Sequence, residues 1–351
     1  MTENNNSLNK RRDEVLCAGI LVADIFIPPL TALPAAGELT ATEDFLLDTG
    51  GCAANVAVSL AKLGAQATVV GMVGADVFGD FTASALRAKG VDTSGLRRSS
   101  AHGTSKTVIL PVMGEDRRFI HTFGANVDLK AADIDPALLG RARVLYLGGY
   151  LILPGIRQEE LAALFRTARE QGVRTVLDVV VPTGSAQHSL EDLAEILPFV
   201  DYFLPNDDEA RALTGWEAPQ DQAACFLSAG CGTVVITQGG RGTLLMDQEG
   251  ILEAPAYPVE VMDSSGAGDA FTAGLILGIL EGRDRAEAIR FASAVGASAC
   301  TRLGCTTGVF TRAEAEAFVA AHPLDIHAKP LPQRAGIDRV EGDPATARRE
   351  I

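Results

Sequence analysis

The 351-residue sequence predicts a three-layer α/β/α fold, a mostly parallel central sheet with a small β lid, and three observations carry that reading. Short apolar runs of strand length alternate with segments of helical period. That is the pattern of βαβ units and of a parallel sheet covered on both faces. Several helical segments stop at a glycine, the residue best suited to a left-handed helix end. Two stretches, 39–47 and 105–123, break the rhythm and look extended without any helical period.

In chain order, residues 1–14 are polar and read as a flexible arm, and they lack the apolar core of a signal peptide. Val15 to Ile20 has the look of a buried strand. A helix is expected over 53–63, stopping at Gly64, then a strand over 67–73 and a helix over 77–89. The stretch 105–123 holds a turn at 113–116 between two strands, so lid strands are expected from about 25–48 and 104–124. Extra edge strands of the main sheet are the other reading of the same residues. The alternation resumes with a strand at 144–147, a helix at 158–170 and a strand at 173–178. It continues with a strand at 201–204, helices near 208–213 and 222–229, and a strand at 233–237. A helical pair at 268–280 and 285–300 follows. Residues 322–351, rich in Pro, Arg, Asp and Glu, read as a poorly ordered tail, which leaves 15–321 as one domain.

The formal net charge of −15 and the lack of a basic stripe exclude nucleic acid as the expected partner. The longest apolar run, 144–156, is too short for a membrane span and is broken by Gly148, Gly149 and Pro154. Six cysteines form no CxxC pair, so buried free thiols are expected rather than a metal centre or disulfide framework. These features point to a cytoplasmic protein. A dinucleotide-binding G-x-G-x-x-G after the first strand is missing, since residues 19–24 read GILVAD, and no lysine follows a glycine as a P-loop requires.

The segment Asp263-Ser264-Ser265-Gly266-Ala267-Gly268-Asp269 opens an apolar helix. Its small residues let the backbone approach a ligand, and a helix start with unpaired N–H groups favours an anion such as a phosphoryl group. Asp269 there can cap the helix or accept a proton from an attacking hydroxyl; spacing alone does not choose. Asp24 is expected at the end of the opening strand, where α/β proteins place ligand contacts, and a carboxylate can accept from two adjacent hydroxyls. Gly50 and Gly51 would bring backbone to a ligand, and the Asn55 amide both donates and accepts. Asn206 and Glu209 lie three apart and share a helix face. They suit Mg²⁺, directly or through water, and equally suit a capping box. Thr237, Gly239 and Gly242 read as a phosphate-approach loop or as a plain turn.

Taken together and in order, these segments resemble the ribokinase-like, or PfkB, carbohydrate kinases. DSSGAGD resembles the family's Asp-Thr-x-Gly-Ala-Gly-Asp signature, with Ser264 in the Thr place. Gly50-Gly51-Cys52-Ala53-Ala54-Asn55 is similar to its Gly-Gly…Asn signature. Gly19 to Asp24 resembles its opening strand with a substrate-binding Asp, Asn206 to Glu209 its Asn-x-x-Glu motif, and Thr237 to Gly242 its Thr-x-Gly-x-x-Gly stretch. The resemblance implies a ribokinase-like fold and transfer of the γ-phosphoryl group of ATP, with Mg²⁺, to a hydroxyl of a sugar-like molecule. Asp269 would be the general base and Gly266-Ala267-Gly268 the anion hole. Asp24, Gly50, Gly51 and Asn55 would hold the acceptor, Thr237, Gly239 and Gly242 the nucleotide, and Asn206 and Glu209 the Mg²⁺. It further implies a monovalent cation, K⁺, to which Asp263 and Ser265 could contribute, although residues 304–308 depart from the family's form. A homodimer through the lid is also implied.

Two departures bear on the acceptor. Val22 stands where the ribokinase pattern has an Asn, and Gly148-Gly149-Tyr150 offers no Glu. Ribose is therefore not the favoured acceptor, and fructose, a keto-deoxy sugar acid or another ketose is expected, with a nucleoside as the alternative. Arg117, Arg118 and His121 could face a carboxylate or phosphate, or form a solvated strand face. A sensor without turnover is the remaining alternative.

Overall fold

The computed structural model describes residues 14–114, 118–182 and 188–331. Ten strands form one sheet and four form another. In the large sheet, β1 (Glu14–Gly19) lies between β4 (Gln66–Gly74) and β8 (Ala142–Gly148), parallel to both. Outside β4 lies β5 (Asp92–Ser99), again parallel. On the other side β9 (Arg174–Leu177), β10 (Tyr202–Phe203) and β11 (Thr233–Thr237) continue the parallel array. Three antiparallel strands complete that edge: β12 (Thr243–Asp247), β13 (Gly250–Ala254) and β14 (His327–Lys329).

Strand alternation divides the core between two faces. Along β1, Val15 and Cys17 enter one apolar cluster and Leu16 and Ala18 the other. The first cluster contains residues of the helices Cys52–Lys62, Ala267–Glu281, Arg285–Ala299 and Arg312–Ala321. The second contains residues of Gln158–Glu170, Asp207–Thr214 and Pro219–Ser228. Helices on both faces of a mostly parallel sheet make the three layers.

The small sheet stands apart, in the order β3 (Leu46–Gly50), β2 (Val22–Phe26), β6 (Lys106–Leu110), β7 (Arg118–Thr122). The extended stretches thus form their own sheet and are not edge strands of the large one. The strand that ends in this region starts later than the pattern suggested: 39–45 is irregular and β3 begins at Leu46. The turn at 113–116 lies partly outside the described residues, as do Arg117 and most of the 1–14 arm.

Two expectations are corrected. Asp24 does not end the opening strand: β1 stops at Gly19, and Asp24 sits inside β2 of the lid. The reason is a buried amide, since Asn126 Oδ1 accepts from Leu21 N at 3.0 Å and Asn126 Nδ2 donates to Leu21 O at 2.9 Å. That pair satisfies the backbone where the chain leaves one sheet for the other. The second correction concerns the boundary at residue 322. His327–Lys329 pairs with β13, and Leu324 is buried, so the domain runs on through the residues that cover this sheet edge. The expectation for the remainder of the tail falls on 332–351, outside the described residues.

Candidate active site

Ala267–Glu281 is apolar on all sides, and Ala270 to Gly278 are buried, so the helix start is held by packing. Gly266 precedes it in the left-handed region at φ 75°, and a β-carbon there would overlap the Cys305 carbonyl. A β-carbon on Gly268 would meet open space. The turn is therefore closed behind and open in front; Ala267 N donates to Ser264 O at 3.3 Å, and the N–H groups that follow it in the first turn are available to an anion.

Asp269 lies in the first turn of this helix and accepts from Asn55 Nδ2 at 2.8 Å. Asn55 comes from the first turn of the Cys52–Lys62 helix, whose start is placed by Gly51 at φ 90°. Burial raises the Asp269 carboxyl to about 6, against the hydrogen bonds from Asn55 and the Cys52 thiol, with the nearby Asp24 charge adding to the rise. Asn55 Oδ1 is buried without a hydrogen-bond partner. An unpaired amide oxygen beside Asp269 is a ready acceptor for a ligand hydroxyl.

Asp24 reaches the same place from the lid. It is 6% exposed, and burial raises it to about 6, with Asp48 adding and hydrogen bonds from Thr107 and Cys305 opposing. A β-carbon on Gly50 would collide with its carboxylate, and one on Gly51 with the Ile20 carbonyl. Both glycines are thus required by close approach around Asp24 rather than by a turn alone.

Residues 206–209 realise the capping alternative in full. Asn206 Oδ1 accepts from Glu209 N and Glu209 Oε2 from Asn206 N, each at 2.9 Å. Glu209 also belongs to a buried acidic cluster. Burial lifts it to about 7, and the Asp269 and Asp208 charges add. Asp178, just past β9, is half-buried and pushed well above its ordinary value by loss of solvent, Glu209 and Asp269. Tyr146 donates to Asp178 Oδ2 at 2.9 Å. Ligand atoms of Cys52, Asp178 and Asp269 lie within 4.8 Å of one another. Carboxylates that raise one another in a buried place are the donor chemistry of a hard divalent cation, so the residues fit Mg²⁺.

Beside the helix start lies a cavity of about 460 Å³ lined by Thr237, Gly239, Gly242, Tyr257, Gly268 and Phe271 among others. A bridge between Asn206 and Thr237 brings the capped helix to its edge. Gly242, at φ 105°, packs where a β-carbon would overlap the Ala254 carbonyl. Asp263, by contrast, spends both carboxylate oxygens on backbone: Oδ1 accepts from Ser265 N at 2.9 Å and Oδ2 from Gly304 N at 3.0 Å. It fixes the loop behind the helix start.

Asp269, Asn55, Asp24 and the two glycine pairs therefore converge, while Asp178, Tyr146, Cys52, Cys305, Thr107 and Asn126 join them unannounced. Asp178 had one weak signal, a carboxylate at a strand end. The cysteines and Asn126 had none, because nothing local distinguishes them from core or loop residues.

The fold sets an open helix start of a three-layer α/β/α domain beneath a small β lid. The chain belongs to the pfkB family of carbohydrate kinases: residues 12–312 match that family's model. It is similar to the ribokinase of Haemophilus influenzae, 29% identical over 290 residues, covering 81% of this chain and 91% of the relative. It is likewise similar to the aminoimidazole riboside kinase of Salmonella typhimurium, 30% identical over 292 residues, covering 80% and 90%. Among solved structures, the ribokinase of Arabidopsis thaliana complexed with ribose and ATP superposes with a TM-score of 0.75 at 25% identity, covering 88% of this chain and 99% of that one. The protein is a kinase with an alcohol group as acceptor, on a ribokinase-like fold. No helix among the described residues is long and apolar enough to cross a membrane.

Proposed function

We propose that the protein transfers the γ-phosphoryl group of ATP to a hydroxyl of a sugar-like molecule held between Asp24 and Asp269. One observation carries this reading: the half-buried Asp269 carboxylate, bonded to Asn55, stands in the first turn of a helix whose start faces an open cleft. The acceptor rests on Asp24, Gly50, Gly51 and Asn55. Asp269 takes the hydroxyl proton as the oxygen attacks, and the N–H groups of Gly266, Ala267 and Gly268 hold the charge of the transferring group. Thr237, Gly239 and Gly242 frame the nucleotide cavity. Mg²⁺, when bound, neutralises phosphate charge; Glu209 and Asp178 would hold it, directly or through water, with Asn206 fixing Glu209 through the cap. Closure of the lid excludes water and suppresses ATP hydrolysis.

K⁺ is proposed as an activator through the 263–265 segment. Comparing rates in K⁺ and Na⁺ tests it, and equal rates remove it. A homodimer is proposed because the described part of the lid presents Phe119 and Ile120, 56% and 63% exposed, on the edge strand β7. A coupled ADP-release screen over ketoses, sugar acids and nucleosides tests the reading of function. Acceptor-dependent ADP release from a sugar supports it, and release with nucleosides alone replaces it with a nucleoside kinase.

A further inference from the structure

Three separate segments bring a sulfur and two carboxylates to one point. Cys52 opens the helix Cys52–Lys62, Asp178 follows β9, and Asp269 lies in the first turn of Ala267–Glu281. Cys52 Sγ and one oxygen of each carboxylate lie within 4.8 Å of one another. All three residues are half-buried, so an ion can reach them from solvent. A β-carbon on Gly148 would overlap both Cys52 Cβ and the Tyr146 hydroxyl, so the glycine is what lets β8 pack against them.

Each carboxylate has a partner that orients it. Tyr146 donates to Asp178 Oδ2 at 2.9 Å, and Asn55 Nδ2 donates to Asp269 Oδ2 at 2.8 Å. Hydrogen bonds of this kind aim the carboxylates of metal sites. A second, independent observation comes from the same amide. Asn55 is 4% exposed, and its Oδ1 has no hydrogen-bond partner. A buried oxygen left open beside two carboxylates and a thiol calls for a ligand.

Donor chemistry decides which ligand that is. Mg²⁺ takes oxygen atoms and keeps its waters, so a thiol adds nothing to its binding. Zn²⁺ and its analogues Co²⁺ and Cd²⁺ accept a thiolate together with carboxylates. In a tetrahedral zinc site the ligand atoms stand about 3.3–3.6 Å apart, given bonds of about 2.3 Å to sulfur and about 2.0–2.2 Å to oxygen. The cluster therefore closes by at most about 1.5 Å, within reach of small side-chain rotations.

We propose that Cys52, Asp178 and Asp269 form a site for a thiophilic divalent ion of the Zn²⁺ class, with Asn55 Oδ1 as a fourth donor. As the ion binds, the thiol proton of Cys52 passes to solvent and the sulfur ligates as thiolate. The ion takes up the Asp269 carboxylate, so turnover stops while the site is filled. That inhibition rests on the role proposed above for Asp269; the binding does not.

Binding is tested without ATP, Mg²⁺ or acceptor. Chelator-treated, reduced protein is titrated with Co²⁺ and, separately, with Cd²⁺. One equivalent should produce an ultraviolet sulfur-to-metal charge-transfer band, and Zn²⁺ should displace the Co²⁺ signal. Cys52→Ala should lose the band, while Cys225→Ala and Cys300→Ala, at the other half-buried thiols, should keep it. Cys52→Ser, which keeps the side-chain volume, should lose it as well and serves if the alanine variant does not fold. Zn²⁺ affinity by calorimetry should fall at least about 30-fold in either variant. No band at one equivalent, or a band that survives both substitutions, overturns the site. Turnover is then followed by direct measurement of ADP at saturating Mg-ATP and sugar, each protein against its own zinc-free rate. Zn²⁺ should inhibit the wild type at least about 30-fold more potently than Cys52→Ala, with chelation restoring the rate. Equal potency on both proteins overturns inhibition through this site. A Cys52-dependent band with no inhibition of the wild type keeps the site and removes Asp269 from the reaction.

Discussion

Burial and function pull in opposite directions at Asp269. A carboxylate with no cation in contact resists ionising, and its value is raised to about 6. A base needs the ionised form, so turnover should fall about tenfold per pH unit below about 6, as read from kcat/KM profiles. The same shift has a stability consequence of definite sign. The folded value lies above the unfolded one, so the protonated form is favoured by folding, and stability is lost as pH rises from about 4 through about 6. Asp269→Asn removes this dependence. Its stability advantage over the wild type in denaturant unfolding should be larger at pH 7.5 than at pH 5, by about 1 kcal/mol; an equal gap at both pH values contradicts the shift. The same variant should lower kcat by roughly two to four orders of magnitude while ATP binding by calorimetry persists.

Among the elements, the lid strands and the helix starts separate what packing needs from what chemistry needs. Gly50 faces the Asp24 carboxylate with no room for a methyl group. Gly50→Ala should displace Asp24 and raise the acceptor KM at least about tenfold, leaving KM for ATP within about twofold. Loss confined to ATP affinity would move Gly50 out of the acceptor site. Asn206→Ala deletes the cap of Asp207–Thr214 and should cost about 1 kcal/mol in denaturant unfolding. It should also raise the Mg²⁺ concentration needed for half-activity, because Glu209 loses the partner that holds it. A stability loss with no change in Mg²⁺ response would leave 206–209 a cap and nothing more. At this scale the sequence was readable where periodicity is local: the helix Gln158–Glu170 and the strand Thr233–Thr237 fall on their expected bounds. β5, β13 and β14 were not readable, since strands of mixed polarity at a sheet edge carry no clear period.

For the molecule as a whole, the lid is a second sheet joined to the first at the Ile20–Leu21 crossing pinned by Asn126. Its outer row, Leu47, Ile25, Val108 and Ile120, follows from register and faces away from the cleft. If two copies pair through that face, sedimentation should report a dimer at micromolar concentration and Ile120→Lys should shift it to monomer with the fold intact. A wild-type monomer under those conditions removes the dimer.

The segments DSSGAGD, GGCAAN and NDDE were legible in the sequence because each is a local device: small residues for close approach, a carboxylate at a helix start, a cap at fixed spacing. The fold class was legible in the alternation of strand and helix periods, and the reaction class in the resemblance that these segments, taken in order, carry. Only the tertiary structure brought Asp178, Tyr146, Cys52 and Cys305 to the same carboxylates, since they come from separate strands and helices and meet only when the sheet is assembled. It alone moved Asp24 into the lid, through an amide 105 residues along the chain from Leu21.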